Sequence, residues 1–349
     1  MKKTLSLVFA ALLMLTLLPA AHAEGVVNVF NWEDYIDPAV LTMFEEETGI
    51  KVNYMNFTTN EDMMVKVRTS PSAFDVVFPS DYVIERMVKE GLLMELDLNQ
   101  LPNAAGTLEW LKNPAYDPDN KYSVAYMWGT VGILYDTTRV SGPIDSWSVL
   151  FEDTYKGEIF MLDSIRDSLG LALKYLGYSM NTRDPKELNA AKDLLVRQKE
   201  QGIVKAYQVD ETKDKMVGGE GILGVVWSGD AQYAIDKNPN LAYAVPKEGS
   251  NIWVDGMVIP KDAQNPENAH KLIDFLSRPE IAKMNQDYIQ YSTPIQGAID
   301  LLGEDYLNNP NLNPSQETID ACEFFNDIPP EFMTIYNALW SQVKNARGQ

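Results

Sequence analysis

The chain has 349 residues, with 29 Lys and Arg against 50 Asp and Glu, a formal net charge of −21 at pH 7. That charge excludes a nucleic-acid surface or an anionic membrane surface as partner and favours small cations, although it also serves the plain purpose of solubility. One cysteine, Cys322, and two histidines, His22 and His270, exclude an internal disulfide and a cysteine-rich metal site, and any Ser-His-Asp or Cys-His catalysis would rest on His270.

The chain opens with Lys2 and Lys3, an apolar run from Leu5 to Leu18, and then Pro19 and Ala21-His22-Ala23. This is the pattern of a secretory signal peptide over 1–23, with Glu24 as the first mature residue. The competing reading, a membrane anchor, meets a run shorter than the roughly 20 residues a span needs. No cysteine follows for lipid attachment. The remainder carries 27 basic and 50 acidic residues, a net of −23. About 326 residues exceed what a single core usually holds, so two lobes are expected.

Val26 to Phe30 reads as a buried strand. Asp37 caps a helix with Pro38 at its first position; Val40, Leu41 and Phe44 share a face, and Gly49 stops it. Ile50 to Phe57 is a strand, Asn60 opens a helix, and Phe74 to Phe78 is a strand ending at Pro79-Ser80. A helix with Val83, Met87 and Val88 then runs to Gly91. The alternation predicts a largely parallel sheet flanked by helices. Further on, Asp184-Pro185 starts a helix that stops at Gly202. Gly221 to Trp227 and Trp253 to Ile259 are strands. Asn265-Pro266 caps a helix running to Pro279, with His270 inside it as an ordinary surface or partly buried residue. From Pro330 a helix aligns Phe332, Ile335, Leu339 and Val343. Cys322 reads as a small, partly buried residue.

Strand ends collect aromatic and acidic residues: Trp32, Asp34 and Tyr35; Ser80, Asp81 and Tyr82; Trp227 and Asp230; Trp253 and Asp255; and the Tyr288–Thr293 segment. In parallel α/β sheets, ligands bind beyond the carboxyl ends of strands. Ring faces attract ammonium groups by about 0.5–2 kcal/mol each, carboxylates pair with them, and apolar walls bury methylenes at roughly 0.8 kcal/mol each. After association costs such a site reaches about −8 kcal/mol, a micromolar Kd. Two plainer readings stand beside this. Each Trp can be a core residue, and Asp34 and Asp230 can be helix N-caps.

At these residues the sequence resembles the bacterial periplasmic spermidine/putrescine-binding proteins of polyamine ABC transporters. The resemblance runs over nearly the whole mature chain. It is carried by Phe30-Asn31-Trp32-Glu33-Asp34-Tyr35, Phe74-Asp75-Val76-Val77-Phe78-Pro79-Ser80, Trp227-Ser228-Gly229-Asp230, Pro246-Lys247-Glu248-Gly249 and Arg278-Pro279-Glu280. More widely shared among solute receptors is Thr48-Gly49-Ile50-Lys51-Val52. It implies a type II periplasmic-binding-protein fold, two α/β lobes joined by a hinge around a ligand cleft. The expected lobes are 24–130 plus 257–300, and 131–256 plus 301–349.

The resemblance also implies roles. Trp32, Tyr35, Trp227, Trp253 and Tyr291 match an aromatic box around a polymethylene chain. Asp255 matches the central acid; Asp34, Ser80, Tyr82 and Asp167 match polar ligands of the amine ends; Asp230 matches an acid of putrescine-type receptors. Ser164 stands where the spermidine receptor has an acid, Phe325 where it has a glutamine, and Asp34 is the shorter acid of the putrescine type. These departures lean toward the diamine, whereas Trp253 and Tyr82 look like the spermidine type. Glu33 matches neither.

The implied protein is a monomeric periplasmic receptor that takes a small polyamine to the membrane subunits of an ABC importer, with no cofactor and no catalysis. A receptor for another organic cation, such as an opine or thiamine, is a second reading. An enzyme working through paired carboxylates is a third, and no nicotinamide or flavin fingerprint accompanies it.

Overall fold

The computed structural model describes residues 25–347. The expected leader, 1–23, and Glu24 lie outside them. Strand β1 (Val26–Trp32) is flanked in parallel by β2 (Lys51–Phe57) and β3 (Val76–Val77). Its central position explains why Val27, Val29 and Phe30 are all buried rather than alternating with polar residues. The helix Pro38–Thr48 starts where expected: Asp37 Oδ1 accepts from Ala39 N at 2.8 Å, and Gly49 ends it at φ 71°. The strand expected over 74–78 is reduced to Val76–Val77, with Phe74 and Phe78 buried on either side.

Strand β4 (Ser123–Asp136) is the longest in the sheet at 14 residues. It is followed by β5 (Ile159–Leu162), β6 (Val204–Gln208), β7 (Leu223–Trp227), β8 (Leu241–Ala244) and β9 (Ile252–Val258). The order across the sheet is β2-β1-β3-β9-β4-β7-β5-β6, with β8 also on β4. The expectation of a largely parallel sheet needs correction. The parallel pairs, β1 with β2 and β3 and β5 with β6 and β7, occupy the two ends. Every pairing of β4 or β9 is antiparallel. The reason is that β4 and β9 run between the two halves instead of closing a strand-helix-strand unit. Ser123–Thr130 of β4 pairs with β9, and Val131–Asp136 pairs with β7 and β8.

The apolar core divides the same way. Val27, Phe44, Phe78, Met127, Leu272 and Phe275 belong to one cluster. Val131, Trp147, Ile159, Leu195, Val225 and Trp340 belong to another. A smaller cluster of Ile299, Tyr306 and Leu312 packs with Leu108. The C-terminal helix Pro330–Asn345 buries Tyr336, Leu339, Trp340 and Val343, while Ile335 is exposed. The apolar stripe is therefore rotated from the one expected, because Tyr336 and Trp340 are the large side chains that fill the contact. His270 is also more buried than expected. Its Nε2 accepts from Asp97 N at 3.0 Å and its Nδ1 lies 2.7 Å from Pro266 O, so the ring pins a loop to its helix. Cys322 is a partly buried free thiol. Among the described residues no helix is long and apolar enough to cross a membrane.

Candidate ligand-binding site

The carboxyl end of β1 begins the site. The Trp32 indole N–H donates to Phe78 O at 2.8 Å and its ring lies 4.4 Å from Phe57, which fixes the indole against the first half of the molecule. Glu33 and Asp34 then turn outward, both exposed, with Asp34 at φ 50°. Tyr35 turns back in. It is buried, its carbonyl accepts from the Tyr126 hydroxyl at 2.8 Å, and its own hydroxyl donates to Asp255 Oδ2 at 2.8 Å.

Asp255 is the centre of this arrangement. It lies on β9 across from Met127 of β4, and its backbone bridges Ser80 at the end of β3. Burial pushes its carboxyl up to about 6, opposed by hydrogen bonds from Ser80 and Tyr35. Among the described residues it forms no ion pair. Asp81 adds a second buried acid, raised well above the ordinary range by desolvation. It accepts from Tyr82 N at 2.6 Å and Val254 N at 3.3 Å. Asn60 Nδ2 reaches both Ser80 Oγ and the Tyr82 hydroxyl, at 3.0 and 3.1 Å.

Ring faces adjoin the acids. Tyr291 lies edge-on to Trp253, with centroids 5.0 Å apart, and 6.0 Å from Tyr35. Two glycines let these rings in. A Cβ on Gly129 would stand 2.7 Å from the Trp253 ring, and one on Gly229 would stand 2.4 Å from the Tyr291 ring. Tyr291 also lies beside Asp230 and favours its charged form, and that carboxylate holds Lys213 Nζ at 2.9 Å. Trp227 ends β7 opposite Val131, and both Trp227 and Trp253 rest on the second core.

Around Tyr82 the neighbours change character. Its ring lies 5.7 Å from the Arg166 guanidinium, which stands 4.2 Å over Phe325. Arg166 donates to Asn326 O and Asn181 Oδ1. Ser164 caps the helix Ile165–Tyr175, and its hydroxyl donates to Asp167 Oδ2 at 2.5 Å. Burial raises Asp167, with Ser164 and Arg166 opposing. Among the described residues its Oδ1 is buried without a hydrogen-bond partner, and so is Trp253 Nε1. Buried polar atoms of this kind are costly unless something else satisfies them.

Of the residues singled out in the sequence, the structure thus joins Tyr35, Ser80, Tyr82, Asp230, Trp253, Asp255 and Tyr291 in one contact series. Ser164, Asp167 and Phe325 gather near Arg166 at its Tyr82 end. Trp32 and Trp227 flank the series on the first and second halves, and Asp34 stands outside it on the surface. The helix-cap reading of Asp34 and Asp230 is overturned. Asp37 caps the helix after β1, and Asp230 lies in the first turn of Ser228–Lys237, paired with Lys213. Asn60, Arg166 and Lys213 were not anticipated. Asn60 could have been found as the polar residue opening its helix; nothing distinguishes the two cations in sequence. The assembled chemistry is that of a cation site: buried carboxylates with hydroxyl partners, bounded by rings.

The profile of bacterial extracellular solute-binding proteins matches residues 39–314. The spermidine/putrescine-binding periplasmic protein of Escherichia coli K12 is 37% identical over 332 residues, 94% of each chain. The putrescine-binding periplasmic protein SpuD of Pseudomonas aeruginosa is 33% identical over 346 residues, again 94% of each. The solved structure of the spermidine/putrescine ABC transporter substrate-binding protein PotD from Streptococcus pneumoniae superposes with a TM-score of 0.84 at 38% identity, covering 92% of this chain and 98% of that one. With apolar clusters in each half, its shared strand β4 and this aromatic-acid cluster, the chain belongs to the bacterial extracellular solute-binding proteins, in the branch of the spermidine/putrescine-binding periplasmic proteins.

Proposed function

We propose that the protein captures a polyamine, putrescine or spermidine, between its two lobes and passes it unchanged to the membrane subunits of an ABC importer. The observation that carries this reading is Asp255: a buried carboxylate, next to Asp81, whose partners are hydroxyls rather than a cation. Such a group is held at a cost that an incoming ammonium offsets. The relatives named for spermidine and putrescine binding support the same cargo.

In this reading Asp255 meets an ammonium, and Trp32, Tyr35, Trp227, Trp253 and Tyr291 enclose the methylenes. Ser80, Tyr82, Ser164, Asp167, Asp230 and Phe325 shape the two ends, while the exposed Asp34 contributes only negative charge at the approach to them. Residues 24–130 with 257–300 form the body of one lobe and 131–256 with 301–349 that of the other, with Tyr306 and Leu312 reaching back to pack on Ile299 and Leu108 of the first. The leader over 1–23 is removed on export, and the mature monomer works in the periplasm. Closure desolvates the ammonium groups and strengthens each contact.

Isothermal titration of the mature protein with putrescine, spermidine, an opine and thiamine tests the cargo. Micromolar or tighter binding of a polyamine is expected, with mass spectrometry recovering the amine intact. No heat and no thermal shift with either polyamine refutes the reading. Binding of the opine or thiamine alone redirects it to another organic cation.

A further inference from the structure

Two carboxylates of the site differ in one respect. Among the described residues Asp255 has hydroxyl side-chain partners and no cation, whereas Asp230 already holds an ammonium. Lys213, on the helix Glu211–Val217, places Nζ 2.9 Å from Asp230 Oδ1; the lysine is 27% and the aspartate 14% exposed. Tyr291 lies beside the same carboxylate, and its ring adjoins Trp253 and Tyr35. Asp230 is therefore the terminus of the contact series that leads through Tyr291 and Tyr35 to Asp255. Asp210 and Asp214 lie close enough to favour the charged lysine. Both partners sit on adjoining helices of the same half, so the pair does not depend on closure.

A lysine side chain is an ammonium on a methylene stem, which is also the chemistry of a polyamine end. Being tethered, it meets Asp230 at an effective concentration that a dissolved amine does not reach. A cargo that extended another ammonium to this end would meet the lysine's positive charge as well as the acid.

We propose that Lys213 is a specificity-determining residue: a tethered ammonium that fills the Asp230 position, stops the cleft there and favours a short diamine seated on Asp255 over a longer triamine. This rests on the polyamine reading above. An ion pair that only fastened two helices together would leave selectivity untouched when broken.

The test is titration calorimetry of the full mature protein and of Lys213→Met, Asp230→Asn and the double variant, each with putrescine and spermidine at one pH and salt concentration. In Lys213→Met the ratio of spermidine to putrescine affinity is expected to rise by about tenfold or more. The double variant should return the ratio to near the wild-type value, since a neutral residue 230 draws no second ammonium. Should Lys213→Met fail to fold, Asp230→Asn carries the test. It leaves the lysine charge uncompensated and should weaken spermidine binding about fivefold more than putrescine binding.

An unmoved ratio in a folded Lys213→Met, or equal losses in Asp230→Asn, overturns the proposal while the polyamine reading stands. A wild-type protein that binds neither amine overturns both.

Discussion

Replacing Asp255 with Asn should move stability and affinity in opposite directions. In the ligand-free protein the carboxyl is raised from 3.8 to about 6 by burial. At 1.36 kcal/mol per pH unit this corresponds to about 3 kcal/mol spent on keeping it charged at neutral pH. The sign follows from the raised value. The fold favours the protonated acid, so this contribution is present below about pH 4 and is lost as pH rises to about 6. A neutral amide escapes the penalty while still accepting from Tyr35 or Ser80. The variant should therefore gain about 1–3 kcal/mol and a few degrees in Tm at pH 7.5, with the gain vanishing toward pH 4. Its polyamine affinity should fall, because the ammonium is then buried without a counter-charge. That loss is about 3–5 kcal/mol, or two to three and a half orders of magnitude in Kd. Differential scanning calorimetry without ligand and titration calorimetry with putrescine measure the two halves. A variant that melts lower at pH 7.5 and binds within threefold of wild type would refute the reasoning.

Further expectations follow from the same contacts. Polyamine affinity should be flat above about pH 7 and fall by up to about tenfold per pH unit below 6, as Asp255 takes up a proton; a titration series that stays level to pH 5 contradicts this. Tyr35→Phe removes the hydroxyl from Asp255 and should raise that carboxyl further, costing about 1.5–3 kcal/mol of charged-state stabilisation; NMR titration of the labelled carboxyl reads it. Gly229→Ala places a methyl 2.4 Å from the Tyr291 ring, so it should cost about 1–3 kcal/mol in stability and weaken binding as the ring shifts; chemical denaturation and titration check both. Arg86 joins Asp327 at 2.7 Å and Ile328 O at 3.0 Å, and Arg86→Ala should cost about 1–3 kcal/mol in urea unfolding, softened because Lys89 also reaches Asp327.

Much of the fold could be read from local chemistry. The Asp37-Pro38 start and Gly49 stop describe a helix wherever they sit, and both act as expected. β4 was missed because nearly all of its residues are buried, so no alternation marks it, and its partners lie some 90 to 130 positions away. The direction of the central pairings was lost with it. In the site, composition at strand ends brought out Tyr35, Asp255, Trp253 and Tyr291, which the structure places in contact. It could not show that Asp34 faces solvent, since its positive φ depends on how Tyr35 turns inward. Nor could it single out Arg166 or Lys213, ordinary cations in polar helix turns until a ring or a carboxylate from elsewhere meets them.

The two halves share β4 as an axle. Its ladder changes partners between Thr130 and Val131, and just before that point Gly129 lies against the Trp253 ring and the Ser228 hydroxyl. Rotating one half against the other must therefore be absorbed as torsion within a continuous strand that is paired on both sides of that point, which limits its amplitude. On the proposed polyamine reading, in which Trp253 walls the cleft, pivot and wall are in contact, so an opening stroke reseats the Trp253 indole and an occupant that presses on the indole pushes on the axle.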